Sequence, residues 1–117
     1  MQYLLMIYQN EVEYAKIDEA TSQKILGEYQ AFTQDIIKSG NFKAGDRLQP
    51  TTTATTVRVR EGKTLTTDGP FAETREQLGG YYLIEAKDLN AAIEIAARIP
   101  SARIGSIEVR PIWVYDK

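Results

Sequence analysis

The stretch Thr67-Asp68-Gly69-Pro70-Phe71-Ala72-Glu73-Thr74, followed closely by Gly79-Gly80-Tyr81-Tyr82-Leu83-Ile84-Glu85, decides how the rest of the chain is read. Asp-Gly-Pro is a dense turn signal. Asp can bond its own backbone, Gly tolerates positive φ, and Pro fixes φ while pushing the preceding residue out of the helical region. The apolar run from Gly80 to Ala86 then reads as a strand, with Tyr81 and Tyr82 on opposite faces and Gly79-Gly80 as a strand entry or bulge. Just before the turn, Thr56-Val57-Arg58-Val59-Arg60, Glu61-Gly62-Lys63 and Thr64-Leu65-Thr66-Thr67 alternate as a β-hairpin with one apolar and one polar face.

Outward from this centre the pattern alternates between strand and helix. Tyr3 to Tyr8 is a near-continuous apolar run that suits a central strand, broken by the polar stretch from Gln9 to Tyr14. Asp18 is placed to cap a helix running to about Ser39, with Gly40 just past its end. Ile25, Tyr29, Phe32 and Ile36 lie at i, i+4, i+7 and i+11, which assigns them to a core-facing stripe. Phe42 to Pro50 reads as a second or edge strand. Asp88 caps a second helix through about Ile99, which Pro100 stops, and Ile104 to Tyr115 reads as a long closing strand containing Pro111. Strand, helix, strand, hairpin, strand, helix, strand is a split βαβ order with an added hairpin. It predicts an α+β domain, an antiparallel sheet with two helices on one face. Large apolar residues left on the uncovered face, for which Tyr3, Leu5, Tyr82 and Trp113 are candidates, need a partner.

At 117 residues the chain is read as one domain, residues 1–117, with 43% hydrophobic and 26% charged residues. No segment approaches the roughly 18 uninterrupted apolar residues of a membrane span, and Met1 to Tyr8 lacks the basic flank and cleavage site of a secretory signal. Cytoplasm is the expected location. With no Cys there are no disulfides, thiol nucleophiles or thiolate zinc sites. With no His, the usual base near neutral pH and the commonest metal ligand are missing, so any catalysis rests on carboxylates, Tyr, Lys, Arg or hydroxyls. A net charge of −2 argues against nucleic acid, which is normally met by a basic face.

The Asp68-Gly-Pro-Phe71 motif resembles the YCII-related, or DGPF-domain, family. The likeness extends over nearly the whole chain: Met1 to Tyr8 is similar to the family's opening strand, Thr55 to Arg60 to its middle strand, and Pro100 to Pro111 to its closing segment. The resemblance implies a ferredoxin-like plait of the dimeric α/β-barrel type, hence a homodimer with sheets facing each other. In divergent relatives a His on the first helix and an Asp form a proposed active-site dyad. This chain has no His, so that dyad is not carried over. Relatives are often encoded beside sigma factors of the extracytoplasmic-function type, which implies an alternative role as a non-catalytic interaction module in transcriptional signalling.

Among candidate site residues, Asp68 stands first, because a carboxylate beside Gly69 and Pro70 has a fixed position and an approachable backbone. Its plain alternative is that it only builds the turn. Arg47, Arg58 and Arg60 lie on segments leading into or beside the motif loop. A guanidinium there can hold a carboxylate or phosphate, although alternating Arg on an exposed hairpin face explains Arg60 better. Phe71 either walls a pocket or anchors the loop. Glu73 and Glu76 could present two carboxylates, but a hard cation normally needs more ligands, and no metal is assigned. Thr51 to Thr56 lacks an activating base, and Gly79-Gly80 lacks the rest of a nucleotide fingerprint, so no cofactor is assigned. The leading expectation is a small dimeric domain binding a small organic ligand, neutral or anionic, in a cleft beside the motif loop. Arg58, Gly69, Pro70, Phe71 and Glu73 are its expected contacts, and Asp68 its expected acid or base, with a pKa raised by burial. A dimer scaffold with no ligand is the third reading.

Overall fold

The structure, a computed structural model, describes residues 1–115. Its elements run β1 (Gln2–Gln9), α1 (Glu11–Ala15), α2 (Glu19–Lys38), β2 (Phe42–Arg47), β3 (Thr55–Arg60), β4 (Lys63–Asp68), β5 (Gln77–Glu85), α3 (Leu89–Ala97) and β6 (Ser106–Pro111). β2, β5, β1 and β6 form, in that order, a four-stranded antiparallel sheet, and β3 and β4 form a separate two-stranded one. The four-stranded order, with α2 and α3 in the two crossovers, is that of an α+β domain compatible with a ferredoxin-like plait.

Local chemistry sets the element ends. The Asp18 carboxylate accepts the Thr21 N–H at 2.7 Å, and Asp88 accepts that of Ala91 at 2.9 Å, so each fills an orphan donor at its helix start. At the far end of α2, the Asn41 N–H donates to the Ile36 carbonyl and the Gly40 N–H to that of Ile37, a Schellman pair around Gly40 at φ 80°. The β3–β4 turn is Glu61-Gly62, with φ 51° and 74°; both central residues are left-handed, which matches the twist of a two-residue hairpin. Gly79 sits in a bulge, because Ile7 pairs with Gly80 while Tyr8 pairs with Leu78.

The core lies between the helices and one face of the four-stranded sheet. Leu5, Ile36, Ile84 and Ile99 are fully buried there, with Tyr3, Ile7, Phe32, Tyr82, Ala92 and Ile95 around them. The Phe32 ring meets Tyr82 edge-on at 5.2 Å, and Arg98 lies over Phe32 while pairing with Asp35. Tyr3, Leu5 and Tyr82 therefore face the helices, which corrects their expected place on the uncovered face. The uncovered face carries the alternate residues, including Leu4, Met6, Tyr8, Tyr81 and Leu83, all half-buried. Apolar side chains occupy both faces of β1, so the period of two could not choose the phase.

Two further expectations change. The polar stretch after β1 contains α1, started by the Asn10 side chain accepting the Glu13 N–H at 3.0 Å. The closing strand ends at Pro111 rather than Tyr115. Tyr3 pairs with Pro111, the Ile112 N–H reaches the Gln2 carbonyl, and β1 itself begins at Gln2, so the pairing ends there. Trp113 therefore sits past the sheet, 82% exposed and stacked near Tyr115.

Candidate functional site

A cavity of about 330 Å³ opens between α2 and the helix-facing side of the sheet, a size at the lower end of small-molecule sites. Its apolar wall comes from Ile25 and Leu26 of α2 and from Ile7, Phe42 and the Tyr82 ring of the sheet. Two glycines keep the floor open. A Cβ on Gly45 would stand 2.8 Å from the Tyr82 ring, and one on Gly80 2.9 Å from the Asp46 carbonyl oxygen.

The polar groups of the cavity form two short chains. Ser101, buried within the α3–β6 connection, donates from Oγ to Gln9 Oε1 at 2.8 Å and lies 2.6 Å from the Tyr29 hydroxyl. A hydroxyl has one proton, so a Ser101 that donates to Gln9 must accept from Tyr29. The Tyr29 oxygen keeps a free acceptor lone pair. The second chain joins Thr33 Oγ1 and the Tyr82 hydroxyl at 2.7 Å. Burial raises the hydroxyl pKa of both Tyr29 and Tyr82 above the ordinary 10.0, so both stay protonated through the neutral range.

Two charged residues, Asp46 and Arg47 of β2, lie at the cavity. Arg47, at the end of β2, pairs with Gly80 and so shares the sheet face of Gly45 and Tyr82. Among the described residues no carboxylate lies within 4.0 Å of its guanidinium. The one acid beside the cavity, Asp46, alternates to the opposite face, where it accepts the Tyr81 hydroxyl at 2.7 Å.

None of Arg58, Asp68, Gly69, Pro70, Phe71 and Glu73 lines this cavity. Asp68 ends β4 on the two-stranded arm, exposed, with no hydrogen bond to its carboxylate among the described residues. The following turn is held instead by the backbone and a threonine: the Gly69 N–H donates to the Ala54 carbonyl at 2.7 Å, and Thr56 Oγ1 donates to the Gly69 carbonyl at 2.8 Å. Phe71 is 80% exposed, and Glu73 is exposed. Arg58 shares the basic arm face with Arg60 and Lys63, as the pairing Arg58–Leu65 and Arg60–Lys63 requires. Glu76 accepts the Ser106 hydroxyl at 2.8 Å. Arg103 and Arg110 pair within the chain, with Glu28 and Glu108. The arm leaves the sheet after Arg47 and returns at Gln77, beside Gln9, so its base stands at the cavity's end of the sheet.

Sequence reading missed Tyr29, Ser101, Gln9 and Thr33. Tyr29 sits on the apolar stripe of α2, where a core role accounts for it, and a lone Ser after Pro100 carries no pattern. Arg47 and the Tyr81-Tyr82 pair are the lining residues that the sequence singles out.

Fold and site together define a small α+β domain with a ligand-sized, hydroxyl-lined cavity under its long helix. The YCII-related domain matches residues 1–116, and the chain belongs to that family. It is similar to an uncharacterised protein of Rhizobium meliloti (strain 1021), 35% identical over 117 residues that cover 98% of this chain and 94% of the relative.

Proposed function

We propose that this protein binds a small organic molecule in the cavity between α2 and the sheet, and that two copies associate through the uncovered sheet face. One observation carries the first part: a concave, mainly apolar site holds a few convergent polar groups and a cation, Arg47, with no ion-pair partner among the described residues. The role is binding. Tyr29, Tyr82, Ser101 and Thr33 offer hydroxyls, but among the described residues none of them is hydrogen-bonded to a carboxylate, and the chain has no His to serve as a base near neutral pH. Asp68 and its neighbours belong to the same functional end of the molecule through the arm's base, where they form an outer surface for the ligand's approach or for a partner copy.

Association is supported by two surfaces that one copy leaves open. Leu4, Met6, Tyr8 and Leu83 form an apolar stripe on the face opposite the helices. Val57 and Val59 on the arm are each 60% exposed, although a two-stranded hairpin alone is marginal in water.

A fragment screen read by amide chemical shifts tests the cavity. Bound fragments are expected to move resonances of Ile25, Tyr29, Gly45 and Gly80, and Ile25→Trp, which fills the space, is expected to abolish those shifts. Shifts confined to residues 55–76, unchanged by Ile25→Trp, would move the site to the motif loop.

A further inference from the structure

We infer that the cavity's ligand is a small organic monoacid: an apolar, flat body with one carboxylate held by Arg47 and a hydroxyl or amine at its other end that donates to Tyr29. This inference rests on the cavity being the ligand site and adds the class of molecule it takes.

The charge inventory selects the acid. Arg47 is on the cavity's face of β2, has no ion-pair partner among the described residues, and faces no acid across the cavity because Asp46 is turned away to Tyr81. A planar guanidinium matches a carboxylate with two parallel N–H···O bonds. One cation balances one negative charge. A phosphate dianion would bring a second charge, and no other Lys or Arg lines the cavity to meet it.

The far end selects a donor. Gln9 lies on β1, two strands from Arg47 on β2, which is about 10 Å across the sheet. Ser101 gives its one proton to Gln9 and accepts from Tyr29, so the Tyr29 hydroxyl oxygen keeps a lone pair that a ligand donor can use. The walls between are Ile7, Ile25, Phe42 and the Tyr82 ring, which favour a ring or short hydrocarbon over a sugar. A 4-substituted aromatic acid carries its carboxylate and its donor at opposite ends of a flat apolar ring, the pattern set by Arg47, these walls and Tyr29.

Calorimetric titration at pH 7 with 4-hydroxybenzoate, its neutral carboxamide, benzoate and inorganic phosphate tests the assignment. The acid is expected to bind about ten- to a hundredfold more tightly than the amide, the range of a hydrogen-bonded charge. Arg47→Gln is expected to bring the acid down to about the amide's affinity, with a much smaller effect on the amide. Arg47→Lys, which keeps the charge but not the fork, should fall between. Benzoate should bind more weakly than 4-hydroxybenzoate in the wild type, and Tyr29→Phe should remove that difference. Equal binding of acid and amide, full affinity in Arg47→Gln with native amide shifts, or phosphate binding tighter than the acid would each overturn the ligand class while leaving the cavity as the site. Absence of binding by both acid and amide would overturn the cavity reading as well.

Discussion

The two sheets of this chain have similar local propensities and opposite surroundings. In the four-stranded sheet Tyr3, Leu5 and Ile7 of β1 join one core with residues of α2 and α3, and Leu5 and Ile84 lose all contact with water. In the two-stranded sheet Val57 and Val59, of the same β-branched type, stay 60% exposed. The molecule is correspondingly spread out. Its radius of gyration is 16.4 Å, against about 13 Å for a compact chain of 100 residues. β-pattern alone therefore makes a strand but does not bury it. Burial comes from the helices, which cover one face of one sheet.

The comparison can be broken most severely at the core. Leu5→Ala should lower unfolding free energy by about 2–5 kcal/mol in urea titration, the cost of a buried cavity. A loss below about 1 kcal/mol would mean that the helix-facing side is not the core. Next in size is Met6→Arg on the uncovered face. It should leave the amide spectrum native and weaken self-association by more than about a hundredfold in sedimentation, because each interface would bury an unpaired charge. A wild-type protein that sediments as a monomer at all concentrations would remove the proposed dimer altogether.

Tyr29 supplies a smaller and pH-marked effect. Tyr29→Phe should cost about 0.5–1.5 kcal/mol near neutral pH through loss of the hydrogen bond to Ser101. The folded-state pKa of Tyr29 and of Tyr82 is raised above 10.0 by burial, so the stability they contribute is complete below pH 10 and is lost as pH rises through their folded values. The alkaline fall in melting temperature should thus shrink in Tyr29→Phe and shrink further in the double variant with Tyr82→Phe. An unchanged alkaline limb would show that the hydroxyls are not shielded in solution. Smallest of all, Val59→Ala on the arm should change monomer stability by less than about 0.5 kcal/mol, measured with Met6→Arg as background. A larger loss would give the arm a core of its own.

Much of the fold was legible because its signals are local. Asp18 and Asp88 as caps, Gly40 past α2, Pro100 after α3 and the Glu61-Gly62 turn each act within a few residues, and each lies where the sequence put it. The sheet phase was not legible, because Leu4, Met6 and Tyr8 are as apolar as Tyr3, Leu5 and Ile7. The short α1 was hidden in a polar stretch, where an Asn cap and a Glu11 carboxylate bound to the Thr51 N–H and hydroxyl replace an apolar stripe. The cavity was hidden for a different reason. Its polar groups come from β1, α2, β2, β5 and the α3–β6 connection, separated by up to 92 residues in the Gln9–Ser101 bond, and none forms a motif. The conspicuous motif at Asp68 lies on the exposed arm, away from the cavity wall.

The most direct test is a crystal structure with 4-hydroxybenzoate bound. Density for the ring between α2 and Tyr82, with the carboxylate on the Arg47 guanidinium and the hydroxyl on Tyr29, is the predicted result. Density at Arg58 and Asp68 on the arm, with the cavity holding only solvent, would contradict it.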